Sequence, residues 1–119
     1  MPVALLLVDH GSRSETANRM LEDVAEMVRR QRPGLTVKVA HMDLASPSIP
    51  EGLKACVAEG ATEIVVHPYM LSPGRHAVVD IPQMVEEAMR DMAGIEYRVT
   101  SPLGLHEKLA EIVLERSAL

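Results

Sequence analysis

The stretch that decides the fold is VALLLVDHGSR, residues 3–13. Its apolar run, Val3 to Val8, leaves no solvated face, which is the pattern of a strand covered by helices on both sides. The run gives way to Asp9-His10-Gly11-Ser12-Arg13. Beyond it, Ala17, Met20, Leu21, Val24, Met27 and Val28 recur at helical spacing. Arg29, Arg30 and Arg32 fall in the last turn, where cations suit the helix dipole, and Pro33-Gly34 stops the helix.

The same alternation runs to the end of the chain. Residues 36–40 read as a second strand leading into His41-Met42-Asp43-Leu44. Ser48-Ile49-Pro50-Glu51 has the form of a capping box that opens a second helix, and Gly60 closes it. Residues 63–67 form a third strand, followed by a loop over 68–76 rich in Pro and Gly. Asp80 is expected to cap a third helix reaching about Met92, with Ile81, Met84, Val85, Ala88 and Met89 inward. Residues 95–99 predict a strand at the sheet edge, because Glu96 and Arg98 alternate with apolar neighbours. A last helix follows Gly104, with Leu105, Leu109, Ile112 and Val113 expected inward. Met20, Met27, Met84, Met89 and Met92 follow helical spacing and are assigned to the core. The order βαβαβαβα, in one domain over residues 1–119, predicts an α/β fold: a four-stranded parallel sheet with right-handed crossovers and helices on both faces.

Composition narrows the function classes. The chain has 119 residues, of which 47% are hydrophobic and 24% charged, enough for a core and unlike a disordered chain. A net charge of −5 and the absence of Phe and Trp argue against a nucleic-acid binder, which needs massed cations and stacking aromatics. No apolar run reaches the ~18 residues of a membrane span, so a cytoplasmic protein is expected. Cys56 is alone, which excludes an intrachain disulfide and a cysteine metal knuckle.

In open parallel sheets, ligands bind beyond the carboxyl ends of the strands. That rule gathers residues 9–13, 41–47, 69–80 and 101–106 at one mouth. His10, His76 and Asp43 then face one crevice, and imidazole with carboxylate suits a divalent first-row metal such as iron, cobalt or nickel. Each has a plainer reading: His10 and His76 as hydrogen-bonding residues at strand ends, Asp43 as a turn residue. His67, inside a strand, is read as packing. His41 either orients Asp43 or is structural, and Asp9 caps local amides. His106 is a helix N-cap or a pocket wall. Arg13 and Arg75 either meet anionic groups or stand as solvated surface arginines.

Competing chemistries lack their residues. There is no GxGxxG and no GxxxxGK[ST] phosphate cradle, and Gly11-Ser12 forms no GxSxG elbow. A receiver domain wants an acidic phosphoacceptor where His67-Pro68-Tyr69 stands.

Four segments carry a resemblance: LLLVDHGSR (5–13), AHMDLASPSIP (40–50), PYMLSPGRHAVVDIP (68–82) and SPLGLH (101–106). With them the chain resembles, nearly end to end, the short single-domain form of the sirohydrochlorin chelatases, the small CbiX type. The resemblance implies a flavodoxin-like, three-layer chelatase half-unit paired into a homodimer. It implies insertion of Fe²⁺ or Co²⁺ into sirohydrochlorin, for siroheme or cobalamin synthesis, with the metal as substrate and no permanently bound cofactor. His10 and His76 fall on the family's metal-binding catalytic histidines, and Asp43 falls where many relatives carry Glu. Ser12, Arg13, Arg75 and His106 are the expected contacts to the tetrapyrrole. The alternatives are a non-catalytic divalent-metal carrier or sensor at the same histidines, a nickel chelatase of the same fold, or a flavodoxin-fold interaction module.

Overall fold

A strand buried on both faces belongs at the middle of a sheet, and β1 (Val3–Asp9) is there. The computed structural model describes residues 2–119, so Met1, the first residue of the expected domain, lies outside the described residues. After β1 come α1 (Glu15–Gln31), β2 (Thr36–His41), α2 (Ile49–Ala58), β3 (Glu63–Pro68), α3 (Ile81–Met89), β4 (Glu96–Val99) and α4 (Glu107–Arg116). Every strand pairing is parallel, in the order β2-β1-β3-β4, with Asp9 opposite His41 and Val8 opposite Pro68. β4 is the expected edge, and its Glu96, Tyr97 and Arg98 are exposed.

The larger core joins Leu6, Val8, Ile64 and Val66 of the sheet to Ile49 and Leu53 of α2 and Ile81 and Val85 of α3. α2 lies so close that a Cβ on Gly52 would come within 2.8 Å of Leu6 Cδ1 and 2.9 Å of Ala40 Cβ. Its start is the capping box read from sequence: Ser48 Oγ accepts from Glu51 N–H, and the Glu51 carboxylate accepts from Ser48 N–H. On the opposite face α1 buries Leu21 and Ala25 against Leu7 and Val37.

Three expectations are corrected. Met20 and Met27 are exposed, because α1 covers only the β1–β2 half of its face and a narrow stripe suffices. Asp80 is not a helix cap. Its backbone is helical (φ −68°, ψ −49°) with no capping bond, whereas an N-cap residue sits in extended backbone. The helix begins a turn earlier, in a π-helical turn over His76–Asp80 that Ile81 N–H closes onto His76 O. The third correction concerns α4, which buries no residue. Leu105, Ile112 and Val113 are exposed and Leu109 is half-buried, so most of the amphipathic face read as inward is left uncovered by the described residues.

That last difference leaves a matching gap. The cluster beneath α1 includes no residue of β3 or β4. Glu63, Val65 and His67, which alternate with the buried Ile64, Val66 and Pro68, are only half-covered on that side. The molecule measures 50 × 31 × 26 Å.

Candidate functional site

His10 is the first residue past the carboxyl end of the central strand, and its place is set by a backbone zipper. Met42 N–H donates to Asp9 O at 2.9 Å and Asp43 N–H donates to His10 O at 3.0 Å. Parallel pairing between the β1 and β2 exits thus continues past the strands. Only glycine fits next. Gly11 has φ +85°, and a Cβ there would stand 1.8 Å from Asp43 O.

The loop after β3 brings His76 to His10. Their ring centroids are 4.9 Å apart at an interplanar angle of 85°. Both border a hollow of about 310 Å³ with Tyr69, Met70, Leu71 and Gly74. The helical turn places Asp80 one turn below His76, and His76 Nδ1–H donates to Asp80 Oδ2 at 2.9 Å. An ionised carboxylate only accepts, so Nδ1 carries the proton and Nε2 keeps its lone pair. Asp80 is the site residue that the sequence reading missed. Its signal was the i, i+4 spacing to His76, hidden by starting the helix at Asp80.

The other candidates are distributed around the rim. Asp43 is exposed, and its Oδ1 accepts from Leu44 N–H at 2.8 Å. With Asp80, Gln83 and Glu87 it borders a separate open hollow of about 470 Å³. Among the described residues no group of three or more His, Cys, Asp or Glu stands close enough to hold a metal ion, so Asp43 does not join the imidazole pair as a third ligand here. Its carboxylate is turned to its own loop. Ser12 and Arg13 border a third hollow of about 520 Å³ beside His41 and Leu44, apart from His76. Ser12 is held in its turn by Asn18, which accepts from Ser12 N–H and donates to Ser12 O. Arg75, 76% exposed, points its Nε at Asp80 Oδ1 at 3.5 Å. His106 is the N-cap of α4: its Nδ1 accepts from Lys108 N–H at 3.0 Å. Its segment is tied to the His76 loop through Leu103 N–H to Met70 O and Gly104 N–H to Leu71 O.

Two further groups are placed by burial. His67 Nδ1 lies 2.9 Å from Thr100 Oγ1, and burial lowers its pKa. Cys56 is fully buried in α2, where desolvation pushes its thiol up to about 11 and removes it as a metal ligand. A roomier hollow, about 550 Å³ between α2 and α3, is walled by Pro50, Lys54, Val57, Met84, Asp91 and Met92 and holds none of the candidate residues. Size and chemistry disagree, and chemistry decides, because only the smaller hollow brings two nitrogen donors together. That pair can offer an ion two ligands and leave its other positions to water or an incoming molecule.

The chain is thus an open parallel α/β sheet with an imidazole pair over its carboxyl edge, one ring hydrogen-bonded to a carboxylate. The chain belongs to the CbiX family, which it matches over residues 4–118. It is 42% identical to the chloroplastic sirohydrochlorin ferrochelatase of Arabidopsis thaliana, covering 94% of this chain and 50% of that one. It is 32% identical to the sirohydrochlorin cobaltochelatase of Methanopyrus kandleri, covering 96% of this chain and 94% of that one. The crystal structure of the sirohydrochlorin chelatase SirB from Bacillus subtilis subspecies spizizenii in complex with cobalt superposes with a TM-score of 0.92 at 30% identity, over 99% of this chain and 50% of that one. The chain spans half or less of the length of several curated relatives that it matches. No helix of the described residues is long and apolar enough to cross a membrane.

Proposed function

We propose that this chain is a sirohydrochlorin chelatase, a lyase-class enzyme that inserts Fe²⁺ or Co²⁺ into sirohydrochlorin for siroheme or cobalamin synthesis. The observation that carries the reading is the His10–His76 pair, 4.9 Å apart at the carboxyl edge of the sheet. Family membership supplies the substrate class.

The reaction exchanges the pyrrolic N–H protons of the macrocycle for a divalent ion. Two imidazoles form an incomplete ligand set, which holds an ion without competing with four pyrrole nitrogens for it. Imidazole also exchanges protons near neutral pH. His76 is the better prepared acceptor, since a proton arriving at Nε2 makes an imidazolium whose charge Asp80 neutralises across the 2.9 Å bond. Asp43 adds negative charge beside the ion's approach, without a place in the ligand set. Leu44, Tyr69 and Leu71 on the mouth loops and Val78 in the helical turn are exposed and offer apolar contact to a flat ring. Ser12, Arg13, Arg75 and His106 stand around that rim toward the macrocycle's carboxylates.

The acting unit in this reading is a cytoplasmic homodimer. The projecting face of α4 and the uncovered β3–β4 half-face are complementary gaps in one chain, and a second copy closes both by exchanging α4 about a two-fold axis. The Methanopyrus relative, whose length this chain nearly spans, supports a unit of this size.

The test is a matrix of Fe²⁺, Co²⁺ and Ni²⁺ against sirohydrochlorin, followed by absorbance. Acceleration with iron or cobalt, lost in both His10→Ala and His76→Ala, is expected. Tight stoichiometric metal binding without acceleration makes the protein a carrier or sensor instead. Sedimentation of wild type as a dimer, and of Leu109→Asp as a monomer, is expected for the exchanged helix; a monomeric wild type at micromolar concentration ends that part.

A further inference from the structure

His41, 3% exposed, is the one polar or charged side chain buried among the described residues. It closes the floor of the hollow bordered by Ser12, Arg13, Val39, Leu44 and Pro47, where an aliphatic residue would fill the place without desolvating an imidazole. The mechanism above makes no use of it.

Its contacts are specific. Asp9 and His41 are register partners on the last rung of β1 and β2. His41 Nδ1–H donates to Asp9 Oδ1 at 2.6 Å, and the same oxygen accepts from Gly11 N–H at 3.0 Å. His41 N–H donates to Pro47 O at 2.8 Å, which closes the base of the loop carrying Asp43 and Leu44. One residue therefore grips the turn behind His10 with its side chain and the Asp43 loop with its backbone.

We infer that His41, acting through the Asp9 carboxylate, is a positioning residue that fixes His10 relative to the Asp43 loop. The inference rests on the proposed metal handling at His10 and His76. The physical reason is local. Asp9 lies at the strand end with its side chain 21% exposed. Opposite an apolar side chain, its carboxylate has water as a better partner than the interior. Turning outward, it releases the Gly11 amide, and His10 is the residue between them. A hydrogen-bonded imidazole at this depth serves orientation more than stability. Groups bonded directly to a ligand change metal affinity or activity by about 10- to 100-fold when removed; His41 acts through Asp9 and the turn, so the lower end of that range is expected.

The test compares wild type with His41→Leu, which fills the space without the bond, and His41→Asn, whose side-chain amide can still donate to Asp9. Co²⁺ is titrated in the absence of tetrapyrrole and followed by its visible d–d bands, then insertion rates are measured. His41→Leu is expected to alter the Co²⁺ spectrum and to lower kcat about 10-fold with KM for the macrocycle within about twofold. His41→Asn is expected to recover most of both. A His41→Leu protein with native far-UV circular dichroism, the wild-type Co²⁺ spectrum and wild-type kcat overturns the inference. If His41→Leu does not fold, Asp9→Ala carries the same expectation at a partly solvated position, and a native spectrum and kcat there overturn it equally. A wild type that binds Co²⁺ but inserts none refutes the chelatase reading alone, and the spectra still decide on His41.

Discussion

Replacing Gly11 by alanine tests how the two sides of the mouth are joined. An alanine Cβ at this position starts 1.8 Å from Asp43 O, 3.0 Å from Asp43 C and 3.1 Å from His41 Cβ. Carbon and carbonyl oxygen meet at about 3.3 Å, so the β1 and β2 exits must part by about 1.5 Å. That parting breaks the bonds Met42 N–H to Asp9 O and Asp43 N–H to His10 O, each with a net worth of about 1 kcal/mol. The left-handed backbone adds about 1–2 kcal/mol for any residue with a Cβ. The total is about 3–4 kcal/mol, or a fall in Tm on the order of 15 °C for a domain of this size. Gly34→Ala is the control. It has φ +91° and nothing within 4 Å of an added Cβ, so it carries the backbone contribution alone and should lose about 1–2 kcal/mol. Urea and thermal unfolding of both variants, with equal m-values, give the difference directly. A Gly11→Ala protein within 1 kcal/mol of Gly34→Ala would mean that the zipper does not hold the two exits together.

Two other expectations concern groups next to the site. Asp80→Leu removes the acceptor that fixes the His76 tautomer and should weaken Co²⁺ binding by about 10- to 100-fold, while Arg75→Ala, which loses only an exposed 3.5 Å pair, should change stability by less than about 1 kcal/mol; equal Co²⁺ affinities in Asp80→Leu and wild type refute the tautomer argument. His67 has its pKa lowered by burial, so below the ordinary imidazole value of about 6.5 the unfolded chain takes up the proton first and stability falls as pH falls, levelling off only below the folded-state pKa. His67→Gln should flatten the slope of Tm between pH 7 and 5, and an unchanged slope assigns that dependence elsewhere.

The topology was legible because each strand and helix announces itself locally. The Val3–Val8 run marked β1 as a strand covered on both faces, the Ser48–Glu51 box placed the start of α2, and the charged alternation of Glu96 and Arg98 placed β4 at the edge. The convergence of His10 and His76 followed from the strand-end rule rather than from any local motif, since the two lie on different loops. Asp80 was misread because aspartate before Ile-Pro has two physical meanings: an N-cap accepting amide protons, or a helical side chain reaching back one turn. A π-helical turn decides between them, and it has no periodicity of its own to read.

The error at α4 is of a different kind. Amphipathic spacing states that a face of the helix will be covered; it does not state by which molecule. Leu105, Leu109, Ile112 and Val113 fall on one stripe, and within a single chain the uncovered flank of β3 and β4 is where such a helix would pack. Here α4 buries none of its residues, and Glu63, Val65 and His67 on that flank stay half-covered. The same physics that made the inward assignment reasonable therefore argues for a second α/β unit. An apolar stripe in water is worth roughly 25 cal/mol for each Å² that a partner covers. Periodicity states what α4 needs, and in the proposed dimer a second copy supplies it.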